Sequence, residues 1–228
     1  FHCETKNILP KELFDLTIIN FPKQDEFISH TNSDAVIISK KDSSSSHPYD
    51  FRNQIFLTRS EDMSRIKNPR HAFWEFFMKI LCSPIVIKSF LELYKNQVKQ
   101  RFGDNLKNIS FYPNIMLLHD RANYSLGPHT DVELKVLSTL IYLSSDKENS
   151  DSYGTSIYVP KKENFVCDGK KHHEHKDFYK IYTAGFIKNN SFSFFRTNNS
   201  FHGVEIVPNK PIERKLLQYS IVAKDNSL

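Results

Sequence analysis

Arg121-Ala-Asn-Tyr-Ser-Leu-Gly-Pro-His-Thr-Asp131 is the segment on which the reading of this chain turns. Side chains two apart on an extended strand point to the same face. His129 and Asp131 can therefore offer an imidazole and a carboxylate together. A third donor has to come from a neighbouring strand, and Phe201-His-Gly203 supplies one, because His202 opens a predicted strand over 203–207. Two imidazoles and one carboxylate on one face of an octahedral ion leave three positions open.

The surroundings of that segment predict β structure. From about residue 109 the chain reads as short strands over 110–119, 136–143, 155–159, 179–187, 192–195, 203–207 and 216–223. Turn-rich stretches at 144–153, 161–177, 188–190 and 208–211 separate them. Short strands at such spacing predict a sandwich or barrel. Upstream the period changes. Ala72, Phe73, Phe76, Phe77 and Ile80 fall at helical spacing and predict one apolar face. A second helix is expected from Ser83 and Pro84, an N-cap and first-turn pair. It carries Ile85, Ile87, Phe90, Leu91, Leu93 and Tyr94 and ends near Gly103. Residues 31–55, with serines at 43–46, read as a polar loop. Before them, Pro10 to Leu16 reads as helix.

Composition narrows the function classes. The 228 residues fit one domain, and 39% hydrophobic content with 19 phenylalanines supports a core. No apolar run of 18 residues occurs, so no membrane span is expected. Cys3, Cys82 and Cys167 are odd in number and widely spaced, which argues against a disulfide framework and suits a reducing cytoplasm. The net charge of +5 is spread over 31 scattered Lys and Arg residues. No basic stripe interleaved with aromatics marks a nucleic-acid interface.

The residues quoted above resemble the prolyl-hydroxylase-like branch of the iron(II)- and 2-oxoglutarate-dependent oxygenases. Ser138-Thr-Leu-Ile-Tyr-Leu143 and Gly154-Thr-Ser-Ile-Tyr-Val-Pro160 are similar to the two following strands of that branch. Asn199-Ser-Phe-His-Gly-Val-Glu205 is similar to its distal-histidine segment, and Ile8 to Phe14 with Phe21-Pro22 to its entry helix. The resemblance implies an α+β, mainly β fold. This is a double-stranded β-helix (jelly roll) with N-terminal supporting helices, in one domain over 1–228. Residues 1–108 would be the helical support and 109–228 the jelly-roll core. It implies His129, Asp131 and His202 as ligands of Fe(II), with 2-oxoglutarate and O2 as cosubstrates. Arg214 lies where the family places the basic residue that takes the far carboxylate, and its planar fork suits that role. The implied reaction is C–H hydroxylation coupled to decarboxylation of 2-oxoglutarate to succinate. Retention of Asp131 favours hydroxylation over the halogenation of relatives that lack the carboxylate.

Several assignments stay open at this level. Lys215 and Arg196 compete with Arg214, although alternation lets only one of Arg214 and Lys215 face inward. Tyr124 and Tyr142 are candidates to bond the cosubstrate carboxylates or ordinary core tyrosines, and Arg121 is a candidate contact. Lys170-Lys-His-His-Glu-His175 is a solvated loop, a zinc cluster or part of a lid. The alternatives are a cupin-like metal enzyme without 2-oxoglutarate, a non-catalytic binding module and a zinc hydrolase. The substrate is expected to be a small molecule, an amino acid or a peptide.

Overall fold

In the computed structural model, residues 1–29, 51–207 and 213–226 are described. In chain order the strands are β1 (His2–Thr5), β2 (Ile28–Ser29), β3 (Arg52–Phe56), β4 (Ile109–Asp120), β5 (Leu126–His129) and β6 (Lys135–Tyr142). They continue as β7 (Ser156–Pro160), β8 (Phe178–Thr183), β9 (Ser191–Phe195), β10 (His202–Val204) and β11 (Arg214–Asp225). The helices are α1 (Lys11–Ile19), α2 (Ser60–Met63), α3 (Arg70–Leu81), α4 (Pro84–Leu93) and α5 (Lys95–Phe102).

Two antiparallel sheets face each other. The larger has seven strands in the order β1-β9-β6-β11-β4-β3-β2, and the smaller four, β5-β10-β7-β8. This is the jelly roll the resemblance implied. The central strands of the larger sheet are buried on both faces, which is why they read as near-continuous apolar runs. One face, with Ile115, Leu117, Ile141, Leu217 and Ile221, packs against Trp74, Phe77, Leu81 and Val98 of the helices. The other face, with Leu118, Leu140, Phe192 and Leu216, looks toward the smaller sheet.

Three expectations are corrected. The buried stripe of α3 is Trp74, Phe77 and Leu81, while Phe76 and Ile80 are exposed at 59% and 40%. The helix is rotated so that the Trp74 indole N–H reaches the Asn20 carbonyl at 2.7 Å, anchoring α3 to the end of α1. The second predicted helix is two, because Tyr94 leaves helical geometry (φ −119°, ψ 27°) and is buried against Phe195. Ser83 occupies the N-cap as expected but makes no side-chain capping bond. The support region also contributes strands: Arg52–Phe56 is β3, not loop. Its side chains alternate between a buried set and a cavity-facing set that includes Arg52, Gln54 and Phe56. The polar run Arg52-Asn-Gln54 hid the strand from a hydrophobicity reading. The rest of the expected polar loop, 31–50, and the turn over 208–211 lie outside the described residues.

Smaller shifts have local causes. The strand expected over 179–187 stops at Thr183, because Ala184 N–H turns to the Thr155 carbonyl and Phe186 bridges Ser150. The three cysteines are free thiols. Among the described residues no helix is long and apolar enough to cross a membrane.

Candidate metal centre

β5 and β10 are neighbours in the smaller sheet, and their register sets His129 directly opposite His202. β5 ends at His129, so Asp131 projects from the turn just beyond the strand. The three side chains are buried, and one donor atom from each lies within 4.8 Å of the others. Among the described residues no other such group of three forms. The zinc reading of the later histidines therefore has no cluster to stand on.

Each imidazole is fixed by its own backbone. His129 Nδ1 lies 3.0 Å from the Gly127 carbonyl and His202 Nδ1 3.0 Å from that of Ser200. A carbonyl only accepts, so both Nδ1 atoms carry the proton and both Nε2 lone pairs remain for a metal. Burial, and for His129 the nearby His202 and His172, hold both imidazoles below the ordinary value, in the neutral form a metal needs. For Asp131 burial favours the protonated form. Lys135, His202 and His129 outweigh it and keep the carboxyl well below its usual range. Lys135 Nζ reaches one carboxylate oxygen at 2.7 Å, and the Ser138 hydroxyl donates to the other at 2.8 Å. Arg196 Nε holds the Asp131 backbone carbonyl at 3.0 Å.

The triad opens into a cavity of about 670 Å3 between the sheets, within the range of small-molecule sites. Arg214 lines it and is 1% exposed. Its Nε donates to the Tyr153 carbonyl at 2.7 Å, and Nη1 pairs with Asp120. Its Nη2 is buried with no partner among the described residues. Of the two competing basic residues, Lys215 pairs with Glu213 and lies over Phe21, while Arg196 is spent on Asp131.

Asp120 is the residue that sequence reasoning missed. It is fully buried and stands beside Arg52 on one neighbouring strand and Arg214 on the other. Arg52 grips it with two N–H groups, Nε at 2.5 Å and Nη2 at 2.9 Å. Its partners are 68 and 94 positions away in sequence, so no local pattern announces it. Lys135 and Ser138 were equally unassigned. The signal for Ser138 was a hydroxyl in the apolar run of β6.

The tyrosines stand back from the cavity wall. Tyr124 lies under the Arg52 guanidinium, 4.4 Å from its ring centre. Tyr142 accepts the Thr155 N–H at 3.1 Å, and Thr155 rather than Tyr142 lines the cavity. Arg121 is exposed and outside the lining. The loop over 161–177 does border the site. His173 N–H bonds the Pro128 carbonyl, the Thr130 hydroxyl bonds the Cys167 carbonyl, and Gly169 packs on the Asp131 backbone with φ +84°. His172 lines the cavity with its ring 4.4 Å from that of His129. His173 and His175 instead pack against Phe165 and Tyr158.

Comparison with solved structures places this architecture among known folds. A prolyl hydroxylase from Trichoplax adhaerens, in complex with a hypoxia inducible factor peptide fragment, superposes with a TM-score of 0.52. It shares 12% identity and covers 97% of this chain and 83% of that one. The fold is that of a prolyl hydroxylase. A Pseudomonas putida prolyl-4-hydroxylase gives a TM-score of 0.45 at 10% identity, covering 97% of this chain and 91% of the other. A 2OG-Fe(II) oxygenase family oxidoreductase from Burkholderia pseudomallei gives 0.41 at 14%, covering 75% and 67%. No protein-family model and no curated protein matches the chain.

Proposed function

We propose that this protein is an Fe(II)- and 2-oxoglutarate-dependent dioxygenase that hydroxylates a C–H bond of an amino-acid, peptide or small-molecule substrate. The observation that carries the reading is one cavity containing both a two-histidine, one-carboxylate set and a buried arginine with a free N–H pair. The donor set suits Fe(II) with positions left for a chelating cosubstrate. The unpaired Arg214 Nη2 suits the far carboxylate of a dicarboxylic acid, since a buried donor without an acceptor is costly.

Bound Fe(II), 2-oxoglutarate and O2 supply oxidative decarboxylation to succinate coupled to hydroxylation of the substrate. The chain's own residues do the positioning. The Gly127 and Ser200 carbonyls hold His129 and His202 with Nε2 forward. Lys135 and Ser138 keep the Asp131 carboxylate ionised and aimed. Asp120 and the Tyr153 carbonyl fix the Arg214 fork. Met116, Leu140, Phe194 and Leu216 supply an apolar wall that limits water.

Anaerobic titration of the Fe(II)-loaded protein with 2-oxoglutarate tests the reading. A visible charge-transfer band is expected, lost in His202→Ala and weakened in Arg214→Ala. A folded, iron-loaded protein without the band refutes it.

A further inference from the structure

The cavity is asymmetric, and the diacid accounts for only one end of it. Along β4, Asp120 pairs with Arg52 and Arg214 at one end, and Asn114 pairs with Ser220 six residues away. That is about 20 Å of strand. Ser220 pairs in turn with Ser138, whose hydroxyl holds Asp131. A polar row, Ser138-Ser220-Asn114, thus runs across β6, β11 and β4, away from the carboxylate of the metal set.

At the far side of that row lies Arg59. It follows β3, and the Leu57 N–H to Ile115 carbonyl bond brings this segment alongside the Asn114 end of β4. Arg59 is exposed at the cavity edge, its guanidinium 3.8 Å from the Phe56 ring centre. Among the described residues its guanidinium has no ionic or hydrogen-bond partner. Asn114 also lines the cavity, and its side-chain oxygen is buried with no partner among the described residues. Gln218 lines the wall beside it and bonds Ser220. Of the basic residues lining the cavity, Arg52 and Arg214 share Asp120, Lys135 holds Asp131 and Lys170 holds Asp168, whereas the Arg59 side chain has no acidic partner among the described residues.

We infer that the substrate is a carboxylate-bearing amide, its acid group held by Arg59 and its amide N–H by Asn114. This rests on the oxygenase reading, which assigns the Arg214 end to 2-oxoglutarate. The acid is drawn by Arg59, and a guanidinium already stacked on an aromatic ring binds it with little loss of side-chain freedom. The amide removes the cost of the unpaired Asn114 oxygen. A cationic substrate could donate to the Asn114 oxygen but meets like charge at Arg59. N-acyl amino acids and acidic residues within peptides share this chemistry.

Calorimetry on the full chain loaded with Zn(II) and 2-oxoglutarate tests it, since zinc permits binding without turnover. Two matched pairs serve as probes: N-acetyl-glutamate amide against N-acetyl-glutamine amide, and Ac-Ala-Glu-Ala-NH2 against Ac-Ala-Gln-Ala-NH2. The acid of at least one pair should bind about tenfold tighter than its neutral partner, as one charge-assisted hydrogen bond supports. The pair that responds separates the free amino acid from the peptide. Arg59→Gln should abolish the preference, and Asn114→Ala should weaken acid and neutral probes alike. Equal binding within both pairs, no binding by either acid, or a preference that survives Arg59→Gln overturns the inference. The Fe(II)–2-oxoglutarate band, read on the same protein loaded with Fe(II) in place of Zn(II), separates the two failures. With the band present only the substrate assignment falls, and without it the oxygenase reading falls too.

Discussion

Gly203→Ala puts the spacing of the two histidine-bearing strands to a quantitative test. A Cβ at position 203 would stand 2.4 Å from the Leu126 carbonyl oxygen and 3.2 Å from the Gly127 backbone. A carbon and a carbonyl oxygen approach comfortably to about 3.3 Å, so β10 and β5 must part by about 0.9 Å. Both sides of the contact are backbone, so no side-chain rotation relieves it. His202 precedes Gly203 and faces His129 across this ladder, so the two Nε2 donors separate with the strands. Misplacement of that order costs roughly 10- to 100-fold in metal affinity, or about 1.4–2.7 kcal/mol. Calorimetric titration of the metal-free variant with Co(II), beside a thermal melt, reads the effect. A folded Gly203→Ala protein that binds metal as tightly as the parent refutes the reasoning, because strand spacing would then not set the donor geometry.

Three further outcomes are expected. Asp120→Asn leaves Arg52 and Arg214 buried beside each other without their carboxylate, and urea denaturation should show a loss of about 3 kcal/mol together with weaker 2-oxoglutarate chelation. Arg70→Leu strands the buried Glu26, which Arg70 grips with two N–H groups at 2.8 and 3.1 Å. Because Glu26 also accepts the Lys23 and Lys67 backbone N–H groups, the loss in chemical denaturation should stay near the lower end of the usual 3–5 kcal/mol, about 3. The pH dependence of the metal-free protein follows from four histidines, His119, His129, His172 and His202. Burial holds each below 6.5, with His172 lowered to about 4. Below 6.5 the unfolded chain binds these protons and the folded one resists them, so stability falls as pH drops from 6.5 toward 4. A melting temperature that is flat or rising over that interval contradicts this.

What the sequence made legible follows from where the information sits. β4, β6 and β11 carry long apolar runs because both of their faces are covered, and such runs mark strands wherever the partners lie. The histidine–carboxylate set was readable because His129 and Asp131 are neighbours in sequence and His202 follows a local motif. β3 was not readable, since it opens with Arg52, Asn53 and Gln54, which look like loop residues until the cavity and the neighbouring strand exist. The phase of α3 was missed because Phe73, Phe76, Phe77 and Ile80 offer a second apolar stripe, and only the Trp74 bond to Asn20 selects between them. Asp120, Arg59 and Asn114 owe their significance to strand register alone.

The Arg52–Asp120–Arg214 ladder also has a consequence for how the chain finds its alignment. A slip of one residue between β3 and β4, or between β11 and β4, sends an arginine to the opposite face of the sheet. There, away from Asp120, it would stand beside Lys215 and against the buried rings of Phe21 and Phe27, where a further positive charge is disfavoured. Neighbouring registers of β3 and of β11 on β4 are thereby excluded together by one carboxylate. The residues that fix the Arg214 fork also proofread the pairing of three strands.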